Sequence, residues 1–597
     1  MTFMSKPKPT LATAKNALKS YFGYDSFHPT QEKAIASLLA GEDVFVLMPT
    51  GGGKSMCYQI PALIFEGTTI VVSPLIALMK DQVDGLKANG VAAEFINSSL
   101  DIIEQNKITE ALIAGKITIL YVSAERLVSP DFAKILKKIK VNLFAIDEAH
   151  CISSWGHDFR PDYTKLSHLK TLFPKIPIIA LTATADATTQ TDILSQLEMD
   201  DPKVYIDSFD RPNISLTVLP GQKRIQKIKD FLQDKTTQSG IVYCLTRKQT
   251  EQLAEKLQNF GLSAASYHAG LNSAERSRIQ KSFVRDKTQI ICATIAFGMG
   301  IDKSNVRWII HYNLPKNIEG YYQEFGRAGR DSAPAQALLF YTYADVEMIK
   351  RFFIDTTQGD LQHAKLERIK EYAEGVICRR QILLRYFDES YEEDCGNCDV
   401  CANPFSTLNG TAITKKALET LSTLTQQQPT TTQQLVSALS KLSQKVSFAS
   451  WHFYLAQMKN LGLIQVDFSK NQALSITKKG QAVLSKNNEV RLVLLDTFIE
   501  RQEQASKTTK SYTKNKVSKN YYENELYDSL KEIRKELANK HSLAAYMIFS
   551  DKTLLEMANE KPTNKEEMLN ISGVGEVKWE RYGQEFTKTI SESIAKQ

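Results

Sequence analysis

Short segments in which most residues are hydrophobic alternate with longer amphipathic stretches from Asp43 to about Phe340. Strands that are apolar on both faces and separated by helices are typical of parallel sheets buried on both sides. The sequence therefore predicts two α/β domains, with a break near Ser208–Asn213. The predicted strands are Val44–Met48, Thr69–Ser73, Thr118–Val122, Leu143–Ile146, Ile178–Leu181, Gly240–Cys244, Gln289–Ala293, Arg307–Tyr312 and Ala337–Tyr341.

The pattern becomes mainly helical beyond Tyr341, through Val346–Phe387. Later, a predicted helix at Trp451–Leu461 precedes two alternating segments, Leu463–Phe468 and Ala473–Thr477, which predict a hairpin. A helix followed by a hairpin indicates a winged-helix module.

A basic segment separates this module from a last helical stretch, Tyr521–Gln597, which contains Ile571-Ser-Gly-Val-Gly575. Residues 501–520 contain six basic residues and a single acidic one, Glu503. The basic residues are Arg501, Lys507, Lys510, Lys514, Lys516 and Lys519. Such a run is more often a solvated linker than a phosphate-binding surface.

Length and composition set bounds on this picture. A chain of 597 residues is too long for one core, and several domains are expected. The 43% hydrophobic and 24% charged residues are ordinary for a globular protein. A net charge of +7 suits a polyanionic partner, although it is weak evidence over this length. Because no apolar run has the length of a signal peptide or a membrane span, we expect a cytoplasmic protein.

The first motif that carries chemistry is Met48-Pro-Thr-Gly-Gly-Gly-Lys-Ser55, directly after the first predicted strand. Its glycines let backbone N–H groups surround phosphate oxygens, and the helix that follows adds the positive end of its dipole. Lys54 would reach the β- and γ-phosphates, and Ser55 would hold Mg²⁺. The predicted phosphate-binding residues are Thr50, Gly51, Gly52, Gly53, Lys54 and Ser55. The alternative, a chance Gly-Lys-Ser run, is disfavoured by the strand–loop–helix context.

Two further groups of charged residues fit the same chemistry. Asp147 and Glu148 follow a predicted strand, where one acid can hold Mg²⁺ and the other can deprotonate the attacking water. We assign Asp147 to the metal and Glu148 to the water; the alternative is a helix N-cap. Arg327 and Arg330, in the second α/β unit, are candidates to stabilise transition-state charge, Arg330 first. Surface ion pairs are the alternative for these arginines.

Four of the eight cysteines cluster with the spacing C-x16-C-x2-C-x2-C. Four thiolates suit tetrahedral Zn²⁺ in a structural site. An iron–sulfur cluster is the close rival, because C-x2-C-x2-C also begins ferredoxin-type runs. The predicted ligands are Cys378, Cys395, Cys398 and Cys401.

Taken in order, these motifs resemble the series of superfamily 2 helicases, in the form found in RecQ helicases. The aromatic-rich segment Ser153–Tyr163 is the most specific signature. The other matching segments are Phe22–Phe27 with Gln31, the loop at Lys54, Ser73–Val83, Asp147–His150, Leu181–Asp186, Ala293–Asp302 and Gln323–Arg330. The resemblance covers about 15–404 closely and the remainder more loosely, and it favours zinc at the cysteines.

The resemblance also implies roles for single residues. Gln31 would read the adenine edge, Tyr24 would stack on the base, and Gln323 and Arg327 would line the nucleotide cleft. The residues expected to bind DNA and couple it to hydrolysis are His150, Trp155, His157, Phe159 and Arg160. His28 stands where the family usually has an arginine near the adenine, a departure that concerns nucleotide affinity.

The implied fold is α/β: two RecA-like parallel-sheet domains, a helical zinc-binding domain, a winged-helix domain and a small all-helical C-terminal domain. The expected boundaries are 1–207 and 208–345 for the RecA-like domains, 346–404 for the zinc-binding domain, 405–490 for the winged helix, 491–520 for a basic linker and 521–597 for a domain of the helicase-and-RNase-D C-terminal (HRDC) type.

The implied activity is that of an ATP-dependent DNA helicase moving 3′-to-5′, with roles in recombination and repair. Expected partners are ATP, single-stranded and duplex or branched DNA, and a single-stranded-DNA-binding protein, with no membrane; a monomer associated with the nucleoid is expected. An RNA helicase remains an alternative, although it would carry Asp-Glu-Ala-Asp in place of Asp147–His150. A non-unwinding, ATP-gated scaffold for DNA junctions would need a broken Lys54, Glu148 or arginine position.

Overall fold

The computed structural model describes residues 9–97, 100–153, 159–185, 187–297, 303–353, 359–442, 446–467, 470, 472–486, 488–507, 525–541 and 543–596. Within these ranges no helix combines the length and the apolar character that a membrane span requires.

The first domain is built on a parallel sheet. Its strands are β1 (Val44–Leu47), β2 (Thr68–Val72), β3 (Ala93–Ile96), β4 (Ile119–Val122), β5 (Val141–Ile146), β6 (Ile178–Thr182) and β7 (Lys203–Ile206). They lie in the order β3-β4-β2-β5-β6-β1-β7. Because β5, β6 and β1 are neighbours and parallel, their carboxyl ends, and the loops that follow, meet at one edge.

The second domain repeats this architecture. Its strands are β8 (Ile214–Pro220), β9 (Ser239–Tyr243), β10 (Ala264–Tyr267), β11 (Ile290–Ala293), β12 (Val306–His311) and β13 (Ala335–Tyr341). They are parallel and lie in the order β10-β11-β9-β12-β13-β8. The predicted pair of parallel-sheet α/β domains is confirmed.

The strands that the hydrophobic pattern missed, β3, β7, β8 and β10, are the edge strands of the two sheets. An edge strand needs no continuous apolar run, because part of it faces solvent. In β7, for example, exposed and half-buried positions alternate.

Helices cover both sheets. They are α1 (Leu11–Ala17), α2 (Pro29–Leu39), α3 (Met56–Ile64), α4 (Ile76–Ala88), α5 (Ile102–Ile113), α6 (Ala124–Leu127), α7 (Pro130–Leu136), α8 (His168–Leu172), α9 (Ala187–Gln196), α10 (Arg224–Leu232), α11 (Arg247–Asn259), α12 (Ser273–Val284), α13 (Ile318–Phe325) and α14 (Tyr343–Lys350). A π-helical turn, Leu18–Phe22, and 3₁₀ turns at Ala149–Ile152, Pro161–Ser167 and Arg351–Phe353 complete the two domains.

A helical module and a winged-helix module follow. Helices α15 (Gly359–Ala373), α16 (Arg379–Tyr386) and α17 (Asp399–Ala402) surround the cysteine cluster. The winged helix comprises β14 (Leu408–Asn409), α18 (Thr411–Thr425), α19 (Thr432–Leu442), α20 (Phe448–Asn460), β15 (Ile464–Asp467), β16 (Ala473–Ile476), α21 (Lys478–Lys486), β17 (Arg491–Leu492) and α22 (Leu495–Lys507). The antiparallel pairing of β15 with β16 is the hairpin that the alternating pattern predicted.

The segment assigned to a basic linker from residue 491 is in fact structured as far as Lys507. Strand β17 pairs with β14, and Phe498 of α22 packs 5.2 Å from Phe453, ring centre to ring centre. Arg501 is one of the basic residues that the sequence assigned to a solvated linker. Its guanidinium instead lies over the ring of Phe405 and donates to the Asn403 carbonyl. This correction extends the winged-helix unit to Lys507, because Phe498 and Arg501 both have aromatic partners in it. Residues 508–524 lie outside the described part of the chain.

The C-terminal domain consists of α23 (Glu525–Lys540), α24 (Ala545–Ile548), α25 (Asp551–Glu560), α26 (Lys565–Asn570), α27 (Glu576–Lys578), a π-helical turn (Trp579–Gly583) and α28 (Gln584–Lys596). It docks on the first domain through backbone contacts. The Gly573 N–H donates to the Gly23 carbonyl at 3.0 Å, and Lys19 donates to the Leu569 carbonyl at 2.8 Å. A Cβ at Gly23 would lie 2.4 Å from the Val574 carbonyl carbon, so the two backbone segments approach as closely as glycine allows.

Candidate active site

The loop between β1 and α3, which the sequence predicts to bind phosphate, turns sharply at two glycines. Gly51 and Gly53 adopt left-handed φ angles of 86° and 75°, which glycine accommodates at no steric cost. The Lys54 ammonium lies inside the loop and donates to the carbonyls of Met48 (3.1 Å) and Pro49 (3.4 Å). Burial lowers the pKa of Lys54, while Glu148 and Asp147 raise it. The loop therefore holds a cation, bonded to neutral carbonyls, at the place where phosphate oxygens would replace them.

The two acids follow β5 at the same edge of the sheet. Glu148 has a φ of 48°, an uncommon conformation for a residue with a side chain and one that occurs at functional sites. The Asp147 N–H donates to the Val72 carbonyl at 2.9 Å, and the Tyr163 hydroxyl donates to the Asp147 carbonyl at 3.3 Å. The backbone around the acids is thus held from both sides, beside Lys54.

A chain of polar contacts leads from Glu148 towards the second domain. Nδ1 of His150 lies 3.4 Å from Glu148 Oε2 and 2.8 Å from the Thr182 hydroxyl. The Thr182 hydroxyl is 3.3 Å from the Thr184 carbonyl, and the Thr184 hydroxyl accepts from the Gln323 amide at 3.2 Å. His150, predicted as a coupling residue, therefore connects the acid to β6 and, through β6, to α13 of the other domain.

The arginines lie on the turn that follows α13. Burial raises the pKa of Tyr243 to about 12, and Arg327 beside its hydroxyl acts in the opposite direction. Arg330 also lowers the pKa of Lys54, although its effect is smaller than those of burial and of the two acids. Two cations from different domains therefore face one another across the cleft, a repulsion that a polyphosphate would relieve.

A cavity of about 500 Å³ lies between these groups, large enough for a nucleotide. Its walls carry Thr50, Gly51, Gly53, Lys54, Ser55, Asp147, Glu148, His150, Gln323, Arg327 and Arg330. The structure thus brings together the predicted phosphate, acid and arginine positions. The C-terminal domain, for which the sequence indicated no site, also lines the cavity, with Tyr546, Met547, Ser550, Lys552, Thr553, Ser572, Gly573 and Lys578.

Of the residues expected around the adenine, Tyr24 borders this cavity and Gln31 lies against the phosphate loop. Tyr24 lines it with 43% of its surface exposed. The Gln31 amide donates to the carbonyls of Gly52 and Gly53 at 3.1 Å, and its oxygen accepts from the His28 N–H at 2.9 Å. The His28 ring lies 3.4 Å from an Asp207 oxygen. Gln31 therefore braces the phosphate loop in this structure; its predicted contact with adenine stays a prediction.

The predicted DNA-coupling loop is described only in part. Trp155 and His157 lie outside the described residues. Phe159 is 44% exposed, and the Arg160 guanidinium donates to the Pro74 carbonyl at 2.8 Å, just before α4. A large aromatic ring on the surface near the cavity is consistent with stacking on a base, and this role stays a prediction.

The four clustered cysteines converge. Their sulfur atoms all lie within 4.8 Å of one another, and those of Cys395 and Cys401 are 3.9 Å apart. Zn–S bonds of about 2.3 Å in a tetrahedron give S···S distances of roughly 3.8 Å. Backbone N–H groups of Asn397 and Cys401 donate to sulfurs at 3.4 Å, which favours thiolates. The Cys395 N–H also donates to the Cys378 sulfur, at 3.5 Å. The donor set fits zinc.

The sequence reasoning missed Arg211, which bonds to both domains. It lies in Asp210-Arg-Pro-Asn213, where the sequence indicated only a domain break. The only signal in the sequence was the position of Arg211, directly before Pro212 and at the predicted break between the two α/β domains.

Family models match four parts of the chain: DEAD/DEAH box helicase (28–193), helicase conserved C-terminal domain (223–332), RecQ zinc-binding (343–402) and HRDC domain (523–590). The chain is 43% identical to a protein named ATP-dependent DNA helicase RecQ from Haemophilus influenzae, over 98% of this chain and 96% of that one. It is 42% identical to the protein of that name from Pasteurella multocida (98% and 94%) and 36% identical to that from Bacillus subtilis (97% and 98%).

Proposed function

The chain belongs to the RecQ family of ATP-dependent DNA helicases, and from that premise we propose that it couples ATP hydrolysis to 3′-to-5′ movement on single-stranded DNA. The proposed outcome is unwinding of duplex or branched DNA in recombination and repair, at the nucleoid. The observation that carries the proposal is the cleft in which Lys54, Asp147 and Glu148 of the first domain face Arg330 of the second. A site divided between two domains is completed only when they close, so each cycle of hydrolysis can be converted into relative movement.

Each group in the cleft has a proposed task. Lys54 exchanges its bonds to the Met48 and Pro49 carbonyls for phosphate oxygens. Ser55 and Asp147 would hold Mg²⁺, which would neutralise charge on the phosphates. Glu148 orients the attacking water and takes its proton, and Arg330 stabilises charge that develops on the γ-phosphate.

The polar chain from Glu148 through His150 and Thr182 to Gln323 is proposed to report DNA binding to the acid. Phe159 and Trp155 would supply the stacking surface, and stacking on a base is worth about 1–3 kcal/mol. Zinc on the four cysteines is proposed to be structural, joining the second domain to the winged helix.

Steady-state ATP hydrolysis, titrated with single-stranded DNA and then with RNA, tests the proposal. We expect strong stimulation by DNA and little by RNA. Duplexes with a 3′ or a 5′ single-stranded tail test polarity, and only the 3′-tailed duplex should be unwound. Equal stimulation by RNA, or unwinding from the 5′ tail, would contradict the proposal.

A further inference from the structure

The guanidinium of Arg211 spans the cleft near Arg330. One nitrogen, Nη1, donates to the Thr50 carbonyl of the phosphate loop and to the Gly326 carbonyl at 3.0 Å. The other, Nη2, donates to the carbonyls of Ala328 and Gly329, both at 3.0 Å. One planar side chain thus connects the phosphate loop of the first domain with the turn of the second domain that carries Arg327 and Arg330.

Arg211 makes more of these hydrogen bonds to the second domain than to the first. Three of the four carbonyls belong to the arginine turn, and only the Thr50 carbonyl belongs to the phosphate loop. Asn213 adds two bonds to the same side, to Gly329 (2.9 Å) and Ala333 (3.0 Å). Arg211 is therefore part of the second domain, and Thr50 is the contact that changes when the domains move.

The segment around Arg211 is itself held firmly. The Tyr322 hydroxyl donates to the Phe209 carbonyl at 2.7 Å. Arg380, two residues after Cys378, donates to the carbonyls of Arg211 (3.0 Å) and Ile214 (2.7 Å) and lies 3.1 Å from an Asp210 oxygen. Because helix α13 and the cysteine module fix the backbone on both sides, the guanidinium has little freedom to relax.

All four acceptors of Arg211 are neutral carbonyls. Among the described residues, no carboxylate lies within ion-pair distance of it. A fork of five N–H groups suits this task, since a planar guanidinium can bind several acceptors at fixed angles, whereas an ammonium cannot.

We propose that Arg211 is a positioning residue for ATP hydrolysis: it sets the distance between the phosphate loop and the Gly326–Gly329 turn and so places Arg330 against the γ-phosphate. This inference rests on the proposed function. Misplacement of a catalytic group by about 1 Å can cost about a hundredfold in rate. The loss should appear in kcat, because Lys54 and the rest of the phosphate loop still bind ATP.

The test is a double-mutant cycle on DNA-stimulated ATP hydrolysis in the full chain, with Arg211→Ala, Arg330→Ala and the double variant. We expect Arg211→Ala to lower kcat about tenfold to a hundredfold, with the KM for ATP changed less than about threefold. Arg211→Lys should recover little, because charge without the fork does not hold the turn. The double variant should be no slower than Arg330→Ala, since Arg211 acts through that arginine.

Arg224 provides a matched control. It is a largely buried arginine of the same domain, paired with Asp345 at 2.6 Å and outside the cleft, so Arg224→Lys should leave kcat unchanged. The inference would be overturned if the losses in kcat of the two single variants multiplied in the double variant. It would also be overturned if Arg211→Lys restored the kcat of the parent. A parent protein without DNA-stimulated hydrolysis would instead overturn the proposed function, and undiminished hydrolysis by Arg330→Ala would overturn the role of that arginine.

Discussion

Substituting Gly575 by alanine should undock the C-terminal domain and speed the release of ADP. Gly575 packs on the first domain, where an added methyl would lie 2.8 Å from the Ser20 carbonyl oxygen and 3.2 Å from the Tyr21 carbonyl carbon. The first distance is about 0.5 Å shorter than the C···O separation of roughly 3.3 Å at which such contacts occur. The neighbouring bond from Gly573 to Gly23 must then lengthen.

The size of the effect follows from this overlap. Overpacking a close contact costs about 1–3 kcal/mol, which shifts a docking equilibrium about 5- to 150-fold. The substitution should leave the domain itself intact, because φ −91° and ψ 167° at Gly575 are ordinary values for alanine. Since the docked domain lines the nucleotide cavity with Lys578 and Thr553, undocking widens its mouth. The dissociation rate of ADP should therefore rise by up to the same factor, about 5- to 150-fold.

The assay is stopped-flow displacement of a fluorescent ADP by excess ATP, beside small-angle X-ray scattering to detect undocking. Gly85→Ala is the matched control, because it adds the same methyl at the cavity wall where no atom lies within 4 Å. If Gly575→Ala expands in scattering yet releases ADP at the rate of the parent, the docked domain does not limit nucleotide exchange. An unexpanded variant would contradict the steric argument.

Three further predictions concern the cleft, the metal and the coupling loop. Lys54→Ala should lose ATP turnover. Glu148→Gln should bind ATP and hydrolyse it about a hundredfold more slowly, because an amide cannot take the proton from water. Hydrolysis by Glu148→Gln near the parent rate would refute the assignment of Glu148 as the base. Elemental analysis should find one zinc per chain, and Cys395→Ser should be sensitive to protease, since an incomplete site forfeits folding energy; stoichiometric iron would refute the zinc assignment. Trp155→Ala should keep its basal hydrolysis and its melting temperature but lose most DNA stimulation, as a titration with single-stranded DNA would measure; a folded variant with full stimulation would refute the coupling role.

The sequence alone determined the features that depend on local chemistry. The glycines before Lys54 permit the left-handed turns of the phosphate loop wherever the loop lies in space. The interior strands were predictable because burial on both faces requires a continuous apolar run. The four cysteines were recognisable from their spacing, since short loops bring three of them together.

Tertiary structure decided the features that join distant segments. The edge strand β7 was missed because its environment, half solvent and half sheet, leaves no apolar run. The segment Arg491–Lys507 was included in the predicted basic linker because it leads into the basic run at 501–520, but Leu492 and Phe498 have partners in the winged helix.

The same reason explains what was missed at the site. Arg211 acquires its position only when Thr50, more than a hundred and fifty residues earlier, and the turn at Gly326 lie on either side of it. Lys578 reaches the cavity between the two α/β domains only because Gly573 docks on Gly23. No periodicity or spacing records such contacts, because they depend on how separately folded units pack against one another.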